Sequence, residues 1–337
     1  MTTIRDIARE LKLSPSTVSR ALNKDEKISK ETRDRIEYTA NAMHYRPRSR
    51  RSGKKSSNLI GVICPEIISY NYASVVESVS RSLKKKGYTC VVMITDFDQR
   101  LEKEALKNLA EMQVAGIVMI MYDDANSFEC MENFRKKHSI PIVQVANFDE
   151  YADYDSLMVN NRLAAELAVD HLYELGHRDI AIVTDSIAVE RTKMLLNRLE
   201  HYGLTLSRDR KIIVPRLRFE EAGYEGAMQL LNMPSHPTAI IASYDYLAIG
   251  VLKACSDLGV QVPEEISVVG IDSINTSRYT SKALTTVSMP HTDMGKIAAS
   301  IMSDRVSSSK EDRIAIQHVS LNPVLMIRDT TAPISRE

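Results

Sequence analysis

Three short stretches between residues 3 and 44 space their apolar side chains for helices, the first through Ile4, Ile7, Ala8, Leu11 and Leu13 with Asp6 and Arg9 on its polar side. Ser14 and Ser29 stand where a hydroxyl can cap the second and third helices, and the third continues through Ile36, Ala40 and Met43. From Leu59 the pattern changes to short apolar runs at 59–64, 90–94, 116–121, 142–146, 180–184, 212–214, 239–242 and 268–271, separated by helical stretches. Such runs predict parallel strands covered on both faces. Gly87, Gly176 and Gly259 each close a helical stretch before a strand, where a left-handed cap favours glycine. The repeated unit predicts an α/β fold of doubly wound parallel sheets, and nearly 280 residues of it imply two similar lobes with a cleft between them. Ligands of such sheets bind at the carboxyl ends of the strands.

At 337 residues, 44% hydrophobic and 26% charged, the chain has an ordinary globular composition and is too long for one core. Its zero net charge hides an asymmetry. The first 57 residues hold 15 Lys and Arg against 7 Asp and Glu, and the remainder carries the opposite excess. A basic helical arm that includes Ser14-Pro15-Ser16-Thr17-Val18-Ser19-Arg20-Ala21-Leu22-Asn23 reads as a helix-turn-helix facing phosphate. Residues 46–57 have no apolar side chain beyond Pro47, so they form either a solvated linker or a hinge that touches DNA.

Cys64, Cys90, Cys130 and Cys255 show no C-x-x-C pairing and read as reduced core thiols, with no metal site. No apolar run reaches the roughly 18 to 20 residues of a membrane helix, and the amino terminus lacks a signal-peptide core, so a cytoplasmic protein is expected. There is no G-x-G-x-x-G, Walker A loop or H-E-x-x-H, and no cofactor is expected. His177-Arg178-Asp179 spells a kinase tripeptide, yet Arg178-Asp179 directly precedes a core strand and no Asp-Phe-Gly follows, so catalysis is not expected.

Along essentially its whole length the chain resembles the lactose-repressor (LacI/GalR) family of bacterial transcription regulators. The resemblance rests on Asp6-Ile7-Ala8, Ser14-x-x-Thr17-Val18-Ser19-Arg20-x-Leu22-Asn23, Tyr45-x-Pro47, Ile60-Gly61-Val62-Ile63, Leu175-Gly176-His177-Arg178-x-Ile180, Val262-Pro263-Glu264-x-Ile266-Ser267-Val268-Val269-Gly270-x-Asp272 and Leu284-Thr285-Thr286-Val287. It implies a helix-turn-helix headpiece at 1–45, a hinge at 46–58, and a periplasmic-binding-protein-like core. The core's amino-terminal lobe would comprise 59–159 with 288–319, and its carboxy-terminal lobe 160–287 with 320–331. It further implies a homodimer on double-stranded operator DNA, controlled by a sugar-like effector, with induction the commoner arrangement.

At the DNA end, the resemblance places Pro15, Ser16 and Arg20 against bases and Thr3, Ser14, Thr17, Ser19, Asn23, Ser29 and Thr32 against phosphates, with Tyr45, Arg48, Arg50 and Arg51 as hinge contacts. Two departures stand out. The family's Ala-Gly turn is Leu11-Lys12 here, and a left-handed Lys12 would cost about 1 kcal/mol against glycine, which predicts a different local turn. The hinge has Arg48-Ser49-Arg50-Arg51-Ser52 and no leucine before Leu59, so arginines in a narrow A·T-rich minor groove would replace a leucine wedge.

At the effector end, the resemblance points to Asn71, Tyr72, Arg191, Tyr244 and Asp272. Tyr244-Asp245 stands where relatives often have Asn-Asp, and Ala146 replaces an aspartate of sugar-binding relatives, which alters the hydroxyl pattern that fits. The effector is expected to be a sugar or sugar phosphate. An effector-independent regulator with side chains, Tyr244 and methionines among them, filling the cleft is the alternative within the fold, and a solute-binding protein the alternative outside it. The absence of a leucine heptad near Ile334-Ser335-Arg336-Glu337 favours a dimer over a tetramer.

Overall fold

The computed structural model describes residues 4–22, 25, 28–43, 57–121, 125–146, 154–308 and 315–334, without the side chains of residues 4, 5, 41, 125–129 and 146. The chain forms two compact units, Met1–Ser56 and Ser57–Glu337. No described helix is long and apolar enough to cross a membrane.

The first unit holds α1 (Ile4–Leu11), α2 (Pro15–Leu22) and α3 (Lys30–Ala42). Ile7, Ala8, Val18, Ala21, Ile36 and Ala40 meet in its core. The turn between α1 and α2 corrects the sequence expectation: Lys12 takes φ 52, and Leu13 N–H donates to Ala8 carbonyl at 2.9 Å. That 2.9 Å bond satisfies a carbonyl that the helix end would otherwise leave open, so the left-handed turn persists without glycine. Lys12→Gly is therefore expected to stabilise this unit by about 1 kcal/mol, read as slower amide exchange in α1 and α2; faster exchange would refute the strain.

The second unit begins with β1 (Leu59–Cys64), α4 (Tyr70–Lys85), β2 (Thr89–Ile94), α5 (Gln99–Glu111), β3 (Gly116–Ile120), α6 (Ala125–Lys137), β4 (Ile142–Ala146) and β5 (Asp155–Val159). It continues with α7 (Asn161–Glu174), β6 (Ile180–Asp185), α8 (Val189–His201), β7 (Lys211–Val214), α9 (Phe219–Leu231), β8 (Ala239–Ala242), α10 (Asp245–Leu258) and β9 (Ser267–Asp272). The last elements are β10 (Thr285–Ser288), α11 (His291–Ser307), β11 (His318–Leu321) and β12 (Val324–Met326).

Two six-stranded sheets result, ordered β11-β5-β4-β3-β1-β2 and β12-β10-β9-β8-β6-β7. Among the described residues every pairing is parallel except β10 with β12. The chain passes between the sheets after β5, β10 and β11. β11 pairs with β5 through Leu321 opposite Val159, so the amino-terminal lobe extends past residue 319. Gly87, Gly176 and Gly259 take φ 87, 95 and 74, the left-handed caps expected of them.

Not every strand is covered on both faces. β2 lies at a sheet edge with Val92 and Ile94 exposed, because it has a neighbour on one side only. None of the four cysteines forms a disulfide, and Cys64, Cys130 and Cys255 are buried.

Candidate functional site

In the helical unit, Pro15 opens α2, where its missing N–H leaves no helical bond unmade. Ser14 Oγ accepts from Thr17 N–H at 3.1 Å and lies 2.7 Å from Ser16 Oγ. Ser14, Pro15, Ser16 and Arg20 are exposed and Thr17 is half-buried. Ser29 likewise caps α3, accepting from Thr32 N–H at 3.4 Å. This presents hydroxyls and amides of one turn together, a surface that suits phosphate oxygens.

Two positions on this surface are engaged within the unit. Ser19 is only 4% exposed beside Val18 and Ala21. Arg20 Nε donates to Asp25 Oδ2 at 2.8 Å. Its side chain is 47% exposed, and an exposed pair of this kind contributes less than about 1 kcal/mol, so exchange for a guanine edge is inexpensive. Arg20→Ala is expected to weaken operator binding by about 1 to 3 kcal/mol and relax base preference at one position per half-site; a uniform loss across all sequences, read by competition binding, would make Arg20 a phosphate contact instead. Thr3, Asn23, Tyr45, Arg48, Arg50 and Arg51 lie outside the described residues, as does the side chain of Ala146.

The second candidate site lies between the lobes, where the carboxyl ends of both sheets' strands meet. Its lining includes Glu66, Ser69, Asn71 and Tyr72 from the amino-terminal lobe, and Asp185, Arg191, Arg218, Phe219, Tyr244 and Tyr246 from the other. The cavity is about 90 Å³, smaller than the roughly 300–1,000 Å³ of sites that enclose drug-sized ligands. Its own side chains fill the difference. Arg218 donates to both carboxylate oxygens of Glu66, at 2.7 and 2.9 Å, with the Phe97 and Phe219 rings 5.3 and 4.5 Å away. Asn71 Nδ2 donates to Asp272 Oδ2 at 2.8 Å, also across the cleft.

Tyr244 does not replace the family's asparagine as an open polar group. Its hydroxyl donates to Asp185 Oδ2 at 2.5 Å and accepts from Phe219 N–H at 3.1 Å. Burial and the adjacent Asp185 carboxylate push the phenol well above its usual range, so it stays a donor. Asp185 also accepts from Ile187 and Ala188 N–H at 2.9 and 3.1 Å. Arg191 Nη1 donates to Ser243 carbonyl at 2.8 Å and lies 3.2 Å from Asp272 Oδ1, an ion contact too misaligned to be a hydrogen bond.

Backbone strain concentrates at this rim. Asp96 and Phe97 after β2, Arg216 and Phe219 after β7, and Asp272 and Ser273 at the end of β9 all have positive φ. Such conformations cost of order 1–3 kcal/mol each and persist where surrounding structure fixes them.

Asn71, Tyr72, Arg191 and Tyr244 line this cleft, and Asp272 stands just behind the lining. Glu66, Asp185, Arg218, Phe219 and Tyr246 were missed. The strand-end rule could have found Asp185, the last residue of β6, and the pair Arg218-Phe219 beyond β7. The kinase-like tripeptide is structural: His177 bonds Thr238 Oγ1 at 3.0 Å and Ala332 carbonyl at 3.1 Å, Arg178 donates to Tyr173 carbonyl, and Asp179 takes two bonds from Arg210.

Residues 3–48 match the family described as bacterial regulatory proteins, lacI family, and residues 169–331 match a periplasmic binding protein-like domain. The HTH-type transcriptional repressor PurR of Yersinia enterocolitica is 30% identical over 98% of this chain and 97% of its own. A lac repressor dimer bound to operator and an anti-inducer superposes with TM-score 0.72, at 23% identity over 98% of this chain and 99% of that one. A LacI-family regulator from Enterococcus faecium with bound ribose superposes at 0.70, with 23% identity over 82% of this chain and all of that one. These two structures match the fold; the repressor sequence matches headpiece and core in one continuous alignment. The helical unit carries an exposed, capped second helix and the core a two-lobed cleft, and with these matches the chain belongs to the lacI family and is a DNA-binding transcription regulator.

Proposed function

We propose that the protein is a dimeric repressor whose operator affinity is set by a sugar-like effector bound between the core lobes. The observation that carries this reading is the pair of bridges spanning the cleft, Arg218 to Glu66 and Asn71 to Asp272. A ligand inserted among them has different contacts in open and closed states, which is what shifts a two-state equilibrium. Ribose in the Enterococcus faecium structure, and cellobiose in a CelR complex of the same fold, support a sugar as the occupant.

Ser16, Pro15 and Arg20 read base edges, while Ser14, Thr17, Ser29 and Thr32 hold phosphates. The basic segment 46–58 contacts an A·T-rich operator centre. The protein acts in the cytoplasm, and the effector works as an inducer.

Selection of bound duplexes from a random pool, followed by anisotropy titration with and without sugars, tests the reading. A palindrome of two half-sites, released by one sugar, is the expected result. Unselective DNA binding, or an operator complex indifferent to every sugar, overturns it. Sedimentation of the protein with one operator duplex reads the dimer directly.

A further inference from the structure

The ionisable side chains of the cleft are already matched to one another. Glu66, with its side chain 6% exposed, takes both terminal nitrogens of Arg218. Arg191, 12% exposed, is occupied by the Ser243 carbonyl and the Asp272 carboxylate. Asp185 receives Tyr244 and two backbone amides. Among the described residues, three carboxylates therefore face two guanidinium groups, and no lysine lines the site. Behind them burial keeps His291 below its usual range, so it adds no cation near neutral pH.

The groups left over are mostly hydroxyls and acceptors; the exception is Arg218 Nε, a buried N–H without a partner on a guanidinium whose charge Glu66 already offsets. Asn71 must turn its amide nitrogen to the Asp272 carboxylate, which only accepts, so Asn71 Oδ1 faces away and is buried without a partner. Asp272 Oδ1 likewise lacks a hydrogen-bond donor, and the Ser69 and Ser243 hydroxyls are unpartnered. Open acceptors need a ligand that donates. A hydroxyl does so; a phosphoryl group, carrying about −1.5 to −2 charges at neutral pH, offers acceptors only. To seat one on its terminal nitrogens, Arg218 would have to leave Glu66, stranding a buried carboxylate.

We infer that the cleft selects an uncharged, hydroxyl-bearing effector and rejects the phosphorylated form of the same molecule, with Glu66 the residue that enforces the choice by holding Arg218. This rests on the sugar-effector reading and narrows it.

The test uses the full-length protein and thermal shift followed by calorimetry, with ribose against ribose 5-phosphate, glucose against glucose 6-phosphate, and cellobiose, and with orthophosphate as a charge probe. In wild type, one neutral sugar is expected to raise the Tm and its phosphate to bind at least about 100-fold more weakly. Glu66→Gln, checked for native circular dichroism, is expected to close that gap at least about tenfold and to gain orthophosphate binding that Arg218→Ala abolishes.

A phosphorylated sugar that binds wild type as tightly as its neutral partner overturns this inference while leaving a sugar effector in place. Silence from every sugar overturns the sugar-effector reading, and orthophosphate then decides the charge selection alone. Binding to wild type that Arg218→Ala abolishes, or no gain in Glu66→Gln, refutes it.

Discussion

Asp272→Ala is expected to abolish the effector response and leave operator binding intact. The carboxylate is 2% exposed and holds Asn71 from the opposite lobe at 2.8 Å and Arg191 at 3.2 Å. Truncating one member of a buried, hydrogen-bonded charged set costs about 2–5 kcal/mol, largely because its partners remain buried and uncompensated. Effector affinity should therefore fall by roughly 30-fold to several thousand-fold. The helical unit keeps its own core, centred on Ile7, Ala8, Val18, Ala21, Ile36 and Ala40, so its packing does not depend on this carboxylate. In an anisotropy titration the variant should hold operator as wild type does and fail to respond at effector concentrations that saturate wild type. A variant that responds at the wild-type concentration would move the effector out of this cleft.

The parts of the fold legible in the sequence were those in which apolar side chains carry the structure. All eight apolar runs became strands, because buried parallel strands need near-continuous apolar residues. The strands not foreseen, β5, β10, β11 and β12, are short or polar. Asp155 and Ser156 sit in β5 because Arg305 donates twice to Asp155 at 2.6 Å and Ser156 bonds His318 at 2.8 Å. Thr285 and Thr286 are fully buried in β10, satisfied by Thr330 and Asp245. Polar strands of this kind depend on partners 40 to 160 residues away, which no local pattern encodes.

The same limit applied at the sites. Family motifs located Arg191 and Asp272, but Glu66 and Arg218 became a pair only once the two lobes faced each other, 152 residues apart in sequence. Ser19 shows the converse: its motif position says nothing of burial, and the fold leaves it 4% exposed in the headpiece.

Asp245 links the cleft to pH. It opens α10, fully buried, with Oδ1 accepting from Thr286 at 2.5 Å and Oδ2 from Ile274 N–H at 2.9 Å. Glycine at 270 makes room for it, since a Cβ there would lie 2.4 Å from Asp245 Oδ1. Burial, with the Asp272 carboxylate adding to it, pushes the Asp245 carboxyl up to about 7 despite those bonds. The acid is protonated in both folded and unfolded chains below about pH 4. Between about 4 and 7 only the unfolded chain releases the proton, so stability falls with rising pH; above 7 both forms are ionised and the loss is complete, on the order of 4 kcal/mol in total. Asp245→Asn removes the ionisation, keeps an oxygen for Ile274 N–H, and lets the Thr286 hydroxyl reverse its role. Urea denaturation of the two proteins at pH 4.5 and 7.5 should show the variant gaining about 3 kcal/mol on wild type between them. Parallel pH profiles would mean that Asp245 is ionised throughout. A gain would show that the loop after Asp272, held at Ile274 by this carboxyl, lies on a residue that changes charge near neutral pH, and effector affinity should change across the same interval.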